Sequence, residues 1–214
     1  MIRRTVGILL FDEVETLDFA GPFEVLSVTE DGQGRQPFRV LTIAPSEDPV
    51  RTIGGLSVTP HHGISQAPHL DVIVIPGGAG TVQLIENGAV VEWLLSRYQD
   101  AELIMAVCSG ARLLAKAGLL DGLPATTHHQ VLDHLAELAP RAVIDPSKRY
   151  IDAGRIMTTG GISAGIDGSL HVVKRFVGEQ AARGTAQYME YDWNPEAQCD
   201  VDHRFDTPGV EPAS

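Results

Sequence analysis

Short, continuous runs of apolar residues, separated by helix-like patterns, constrain the fold of this chain more than any other feature. The clearest runs cover residues 4–11, 70–75 and 103–107. Such runs are typical of parallel strands that are buried on both faces of a sheet. Apolar residues at helical spacing occur between or after them, near residues 88–99 and over 161–180. The alternation predicts an α/β fold with an open, doubly wound, mostly parallel sheet and helices on both faces.

The size and composition of the chain fit one domain. Its 214 residues are enough to bury a sizeable core, and 43% hydrophobic with 21% charged residues is ordinary for a globular protein. We expect a single domain over residues 1–192, followed by an acidic, proline-containing tail over residues 193–214. Contact of this tail with a partner subunit and fraying in solvent are both open alternatives.

Charge and hydropathy exclude several classes of partner. The net charge of −12 argues against a nucleic-acid surface and against binding to an anionic membrane. No apolar run approaches the roughly 20 residues of a membrane span. The only cysteines, Cys108 and Cys199, argue against a disulfide scaffold and fit a reducing compartment. We therefore expect a cytoplasmic protein that binds neither nucleic acid nor membrane.

Cys108 is the first candidate for chemistry. It follows the apolar run 103–107 and precedes a helical pattern, so it lies at a strand-to-helix turn. Backbone N–H groups and the positive end of a helix converge at such a turn, and both favour the nucleophilic thiolate. Gly110 allows a tight turn of the nucleophile-elbow kind. The alternative interpretation is a plain buried cysteine at a strand end.

The predicted topology brings other residues to the same edge of the sheet as Cys108. Asp18 follows the first strand and the Gly77-Gly78 pair follows the strand that ends at residue 75, so all lie at carboxyl ends of strands. A carboxyl group beside a thiolate has a raised pKa and can act as a general acid, although Asp18 can also be a helix cap. Gly77 and Gly78, with the N–H of Ser109, can supply an oxyanion hole or form a simple turn.

His128 is a candidate partner for the cysteine, because a Cys-His pair is a common nucleophile arrangement. It begins a predicted helix together with His129, and Thr127 is a plausible cap of that helix. Adjacent helical residues point in different directions, so at most one histidine can serve, and a simple polar helix-start histidine is the alternative. Elsewhere, histidines and acidic residues have spacings that fit no standard zinc or calcium site, so we expect no metal.

Four blocks of the sequence carry a resemblance to a known family. They cover residues 6–26, 71–78, 106–129 and 158–173 and occur in the family's order. Over about residues 4–192 the chain resembles the ThiJ/PfpI-like superfamily, which is related to class I glutamine amidotransferase domains. Within it, the chain looks most like the isocyanide hydratase branch and is also similar to the sensor-like domains of some AraC-type transcription regulators.

The resemblance implies a flavodoxin-like fold, a homodimer and a site without a cofactor. It implies that Cys108 is the nucleophile and Asp18 the acid beside it, with the Gly77-Gly78 turn and Ser109 lining the site. Protease-like members carry a histidine directly after the cysteine, where this chain has Ser109, so proteolysis is not expected.

The resemblance also implies the reaction. We expect a lyase that hydrates a small isocyanide to an N-substituted formamide through a covalent thioimidate on the cysteine. One alternative is a non-enzymatic sensor of oxidants or electrophiles that uses the same cysteine. The other is a glyoxalase-like enzyme that acts on small α-oxoaldehydes. In each case the partner is a small electrophilic molecule.

Overall fold

A seven-stranded sheet lies at the centre of the computed structural model, which describes residues 3–195. Most of the predicted tail, including Cys199, lies outside the described residues. The strands, including four short ones outside this sheet, are β1 (Arg4–Leu9), β2 (Phe38–Ala44), β3 (Val50–Arg51), β4 (Ser57–Val58), β5 (His62–Gly63), β6 (Val72–Ile75), β7 (Leu103–Val107), β8 (Pro124–Ala125), β9 (Val143–Ile144), β10 (Tyr150–Asp152) and β11 (Ile156–Thr159).

The order of the strands creates a crevice at one edge of the sheet. Across the sheet the order is β10-β11-β7-β6-β1-β2-β5, and every neighbouring pair is parallel except β10 with β11. The chain leaves β1 for β2 on one side and returns to β6 on the other side. The five strands β2-β1-β6-β7-β11 therefore have the flavodoxin-like order, with its switch point between β1 and β6. The predicted doubly wound, mostly parallel sheet is confirmed.

The helices form two groups, and contacts are made between the members of each group. Helix α1 contacts α6 and α7, and α4 contacts α2 and α5. Within residues 3–195, no helix has the length and apolar character needed to cross a bilayer. The helices are α1 (Thr16–Val28), α2 (Thr81–Leu84), α3 (Gly88–Tyr98), α4 (Ala111–Lys116), α5 (Leu132–Leu138), α6 (Ala164–Val177) and α7 (Glu179–Tyr188), and single 3₁₀ turns cover Cys108–Gly110 and His129–Val131.

The unbroken apolar runs are explained by the position of their strands. Every residue of β6 and β7 is buried, because both strands lie inside the sheet and have helices over them. Each fully buried valine, isoleucine or leucine side chain contributes about 1.5–3 kcal/mol of transfer free energy. These strands therefore fix the positions of the loops that follow them.

Two parts of the chain are less regular than their sequence patterns suggest. Residues 51–64 form a hairpin only in part: β3 and β4 pair antiparallel, but β5 joins β2 in the main sheet. In α3, Val90 and Leu94 are buried, whereas Leu95 is 38% exposed. The helix rests on the sheet along a narrower stripe than the apolar pattern suggests.

Candidate active site

The residues predicted to converge after β1, β6 and β7 do lie together at the switch point. The backbone N–H of Gly77 donates to Asp18 Oδ2 at 3.0 Å, although these residues are 59 positions apart. The N–H of Gly78 donates to Ser109 Oγ at 2.9 Å. These two hydrogen bonds join the loop after β6 to α1 on one side and to the Cys108 turn on the other.

Cys108 occupies a strained turn that tertiary hydrogen bonds hold in place. Its φ is +57°, a left-handed conformation that costs a non-glycine residue roughly 1–2 kcal/mol. Its N–H donates to the carbonyl of Gly160 at 3.1 Å, and its own carbonyl accepts from Thr127 Oγ1 at 2.7 Å. The prediction that Thr127 caps the next helix is therefore wrong, because its hydroxyl instead binds the Cys108 turn.

Asp18 lies in the first turn of α1 and is fully buried. Its carboxylate accepts from the N–H groups of Gly77 and Ile162, each at 3.0 Å. It also lies close enough to the Cys108 side chain for this thiol to lower its pKa. The helix-cap alternative is wrong, since neither N–H belongs to α1. Burial raises the pKa of Asp18 from 3.8 to about 6 and outweighs the hydrogen bonds to the carboxylate, which act in the opposite direction.

The ionisation of Cys108 differs from the sequence-based prediction. Burial, followed by the negative charge of Asp18, raises the pKa of the thiol to about 12, and the hydrogen bond from the Ser109 N–H only partly opposes this. Two negative charges at hydrogen-bonding distance in a buried site are unfavourable, so the pair keeps one proton at neutral pH. A thiolate therefore forms when the Cys108 proton moves to Asp18. The N–H groups of the turn do not by themselves lower the pKa of the thiol enough to form one.

Gly77 has no room for a side chain. A Cβ atom there would lie 2.7 Å from both the N and Oγ atoms of Ser109 and 2.8 Å from Asp18 Oδ2. The oxyanion role predicted for Gly77 and Gly78 does not fit the geometry, because both N–H groups already have acceptors. The two glycines line the site by holding Asp18 and Ser109, and the Ser109 N–H is directed to the Cys108 sulfur.

His128 shares the space around the cysteine. A Cβ on Gly161 would lie 2.1 Å from His128 Cδ2 and 3.3 Å from Cys108 Sγ, so both side chains pack against this glycine. Burial, and then the charge of His129, lowers the pKa of His128. Its Nδ1 accepts from the N–H of Gln130 at 3.3 Å, which places the ring proton on Nε2. His128 is thus a neutral lining residue and not a cation paired with a thiolate.

Three contributors were missed by the reasoning from sequence: Gly161, Ile162 and Arg112. The first two follow β11, which lies next to β7, so a glycine pair directly after a predicted strand was the available signal. Arg112 follows Cys108 by one helical turn. Within residues 3–195, no group of three or more His, Cys, Asp or Glu side chains could hold a metal ion.

Two cavities lie near the surface. A groove of about 720 Å³ between the end of α1 and α7 contains neither Cys108 nor Asp18 in its lining. A cleft of about 570 Å³ adjoins the candidate site, because Ala79 in its wall directly follows Gly78. The other residues of this cleft are Asp12, Glu13, Arg51, Thr52, Ile53 and Gly55.

Comparison with known proteins shows the family to which this fold belongs. The family model described as the DJ-1/PfpI family matches residues 4–175. The chain belongs to the DJ-1/PfpI family. The resemblance seen in the sequence blocks is therefore confirmed at the level of the family and of its fold.

Relatives of this DJ-1/PfpI member include an enzyme and a regulator. The isonitrile hydratase of Pseudomonas putida is 36% identical over 186 residues, which cover 87% of this chain and 78% of that protein. The HTH-type transcriptional regulator GbdR of Pseudomonas aeruginosa is 29% identical over 88% of this chain, which spans 51% of the regulator. A crystal structure of a ThiJ/PfpI family protein from Pseudomonas syringae superposes with a TM-score of 0.81 at 28% identity, covering 92% of this chain and 78% of that one.

Proposed function

We propose that this protein hydrates small isocyanides to N-substituted formamides, with Cys108 as the nucleophile and Asp18 as the proton donor. The observation that carries the proposal is the buried pair itself. Asp18 is fully buried and Cys108 is nearly so, the loop after β6 binds both Asp18 and the Cys108 turn, and each of the two groups shifts the pKa of the other. Similarity to an isonitrile hydratase over most of the chain supports an isocyanide as the electrophile.

In the first step the thiol adds across the terminal carbon of the isocyanide. The proton of Cys108 passes to Asp18 as the sulfur attacks this carbon, and a C–S bond forms. Asp18 then delivers the proton to the same carbon, which carries the developing negative charge. The product is a thioimidate, R–N=CH–S–Cys108. The raised pKa of Asp18, about 6, lets this carboxyl group accept and return a proton near neutral pH.

In the second step water converts the thioimidate into the formamide. The water oxygen bonds to the carbon, the nitrogen gains a proton, and a tetrahedral intermediate forms. Its collapse breaks the C–S bond, and the remaining hydroxyl proton returns to the pair of Cys108 and Asp18. The sum is R–N≡C + H₂O → R–NH–CHO, without oxidation or reduction, so the reaction needs no redox cofactor.

Assembly and location belong to the same proposal. We propose that one domain, residues 1–192, acts as a homodimer in the cytoplasm, as the resemblance implies. Light scattering behind a size-exclusion column measures the assembly directly. A monomer at micromolar concentration would exclude the proposed homodimer but would not bear on the proposed chemistry of Cys108.

The test of the reaction is turnover of an isocyanide. The protein is incubated with benzyl or cyclohexyl isocyanide, and the formamide is followed by chromatography. We expect turnover by the wild type and by Cys199→Ala, loss of turnover in Cys108→Ala, and a decrease of about a hundredfold or more in Asp18→Asn. No formamide from the wild type, or equal rates from Cys108→Ala, would exclude the proposal.

A second candidate function is sensing, which the match to a transcriptional regulator favours. In that case Cys108 is oxidised or modified by an electrophile and the protein reports the change. Peroxide titration with mass spectrometry separates the two functions: saturable oxidation at Cys108 without isocyanide turnover supports sensing. Adding methylglyoxal to the turnover panel tests the glyoxalase-like alternative by the lactate that it would produce.

A further inference from the structure

Arg112 places a positive charge near the candidate nucleophile. It lies in the first turn of α4, four residues after Cys108. Its Nη1 donates to Thr81 Oγ1 at 3.0 Å, while its Nε is buried and has no acceptor within the described part of the chain. Among residues 3–195, no carboxylate pairs with it. Six other arginines do have carboxylate partners: Arg4, Arg35, Arg141, Arg149, Arg175 and Arg183.

Hydrogen bonds connect this guanidinium to the Cys108 turn. The Thr81 hydroxyl that accepts from Arg112 also lies 3.3 Å from Ser109 Oγ and donates to the carbonyl of Gly78 at 2.8 Å. Arg112 is therefore held against the residue that directly follows the nucleophile. The network contains hydroxyl and carbonyl groups only, so it positions the guanidinium without neutralising its charge.

The electrostatic surroundings of Arg112 agree with this geometry. Burial lowers the pKa of the guanidinium, and the negative charge of Cys108, when it is a thiolate, acts in the opposite direction. An arginine nevertheless stays protonated at any accessible pH. Within residues 3–195 the guanidinium has no carboxylate partner, and Arg112 as a whole is only half-buried. A carboxylate of a bound molecule that reached its remaining N–H groups would supply the missing negative charge.

We propose that Arg112 selects electrophiles that carry a negatively charged group, such as a carboxylate, and binds that group while the reactive carbon meets Cys108. The natural substrate class is then small acidic isocyanides. This choice of isocyanides rests on the proposed function. The selection of anionic electrophiles does not, since it applies to any reagent that modifies Cys108.

Alkylation of Cys108 tests the selection without any turnover. Iodoacetate and iodoacetamide differ mainly in charge, and each reacts by forming an S–C bond as iodide leaves and the thiol proton passes to solvent. Second-order rate constants are measured for both reagents at one pH and ionic strength. In Arg112→Gln the ratio of the iodoacetate rate to the iodoacetamide rate should fall about tenfold, equivalent to about 1.4 kcal/mol. In Arg112→Lys this ratio should fall by less than tenfold, because lysine keeps the positive charge.

The matched control is Arg183→Gln, which removes one positive charge from the exposed face of α7. Its ratio should equal that of the wild type. If both reagents slow equally in Arg112→Gln, the arginine acts only on the thiolate and the proposal is wrong. An unchanged ratio also overturns it. Arg112→Met keeps the apolar stem of the side chain and replaces Arg112→Gln if that variant does not fold.

A second readout uses the pair isocyanoacetate and methyl isocyanoacetate. The wild type should have the higher kcat/KM for the charged compound, and Arg112→Gln should reverse this preference through KM. If the wild type hydrates neither compound, the proposed function fails, while the alkylation ratio still decides the role of Arg112. Equal discrimination by wild type and Arg112→Gln would contradict the proposal.

Discussion

The shared proton of Cys108 and Asp18 predicts an unusual pH dependence for alkylation of the cysteine. The pair loses its first proton near the pKa of Asp18, about 6, and its last near that of the thiol, about 12. Between these values it holds one proton, and the fraction with thiolate and protonated carboxyl does not change with pH. The rate with neutral iodoacetamide should therefore rise through about pH 6 and then increase much less steeply than tenfold per pH unit up to about pH 8.

The magnitude follows from the burial of Asp18. Moving its pKa from 3.8 to about 6 disfavours the buried carboxylate by about 3 kcal/mol, at about 1.36 kcal/mol per pH unit. In Asp18→Asn only the thiol titrates, and burial, the largest cause, still favours a pKa above the ordinary 9.0. The variant's rate should then rise about tenfold between pH 7 and pH 8, whereas the wild-type rate should rise less than about threefold.

The assay is stopped alkylation followed by intact-mass measurement at six pH values from 5 to 9. His128→Gln is the control for the step near pH 6, because the pKa of His128 is lowered and its loss should leave that step in place. A wild-type rate that climbs tenfold per pH unit from 7 to 9 would refute the shared proton. A plateau of the same shape in Asp18→Asn would refute it as well.

Three further predictions concern stability. The contribution of Asp18 to stability is fully present below its unfolded pKa of 3.8 and is lost as pH rises through about 6. From pH 7 to pH 4.5 the wild type should therefore gain about 2 kcal/mol in free energy of unfolding that Asp18→Asn does not gain, as measured by urea titrations. A constant difference would contradict this sign. Gly77→Ala should destabilise the protein by about 1–3 kcal/mol in thermal melts and should slow alkylation of Cys108. Gly184→Ala is the control: a Cβ there meets nothing within 4 Å, so this variant should be stabilised by about 0.5–1 kcal/mol. Thr127→Val removes the hydrogen bond to the carbonyl of Cys108 and should cost about 0.5–1.5 kcal/mol, and a melt identical to wild type would show that this bond does not hold the turn.

The backbone of the site could be predicted from sequence because strand burial leaves a strong local signal. The apolar run before Cys108 identifies β7, and the run before Gly77 identifies β6. Carboxyl ends of parallel strands meet at one edge, so the convergence of Asp18 with these loops followed from topology. Ser109 was placed correctly for the same reason, as the residue next to Cys108.

The chemistry of the site was less accessible, since it depends on tertiary contacts. The thiol pKa was predicted in the wrong direction because the local turn favours thiolate, whereas burial and the facing Asp18 charge outweigh it. The N–H of Ile162 reaches Asp18 only through the fold of the loop after β11, 144 positions away. The sequence analysis did not single out Arg112, because its lack of a carboxylate partner among residues 3–195 is visible only in three dimensions.

A covalent adduct on Cys108 is the most direct test of the account. The wild type is mixed with benzyl isocyanide, quenched in acid within milliseconds and digested for peptide mass spectrometry. We predict that the peptide containing Cys108 gains the mass of one isocyanide before formamide accumulates, and that Cys108→Ser shows neither adduct nor formamide. Formamide production at the wild-type rate without any adduct, or an adduct on another residue, would contradict the central claim that Cys108 is the nucleophile.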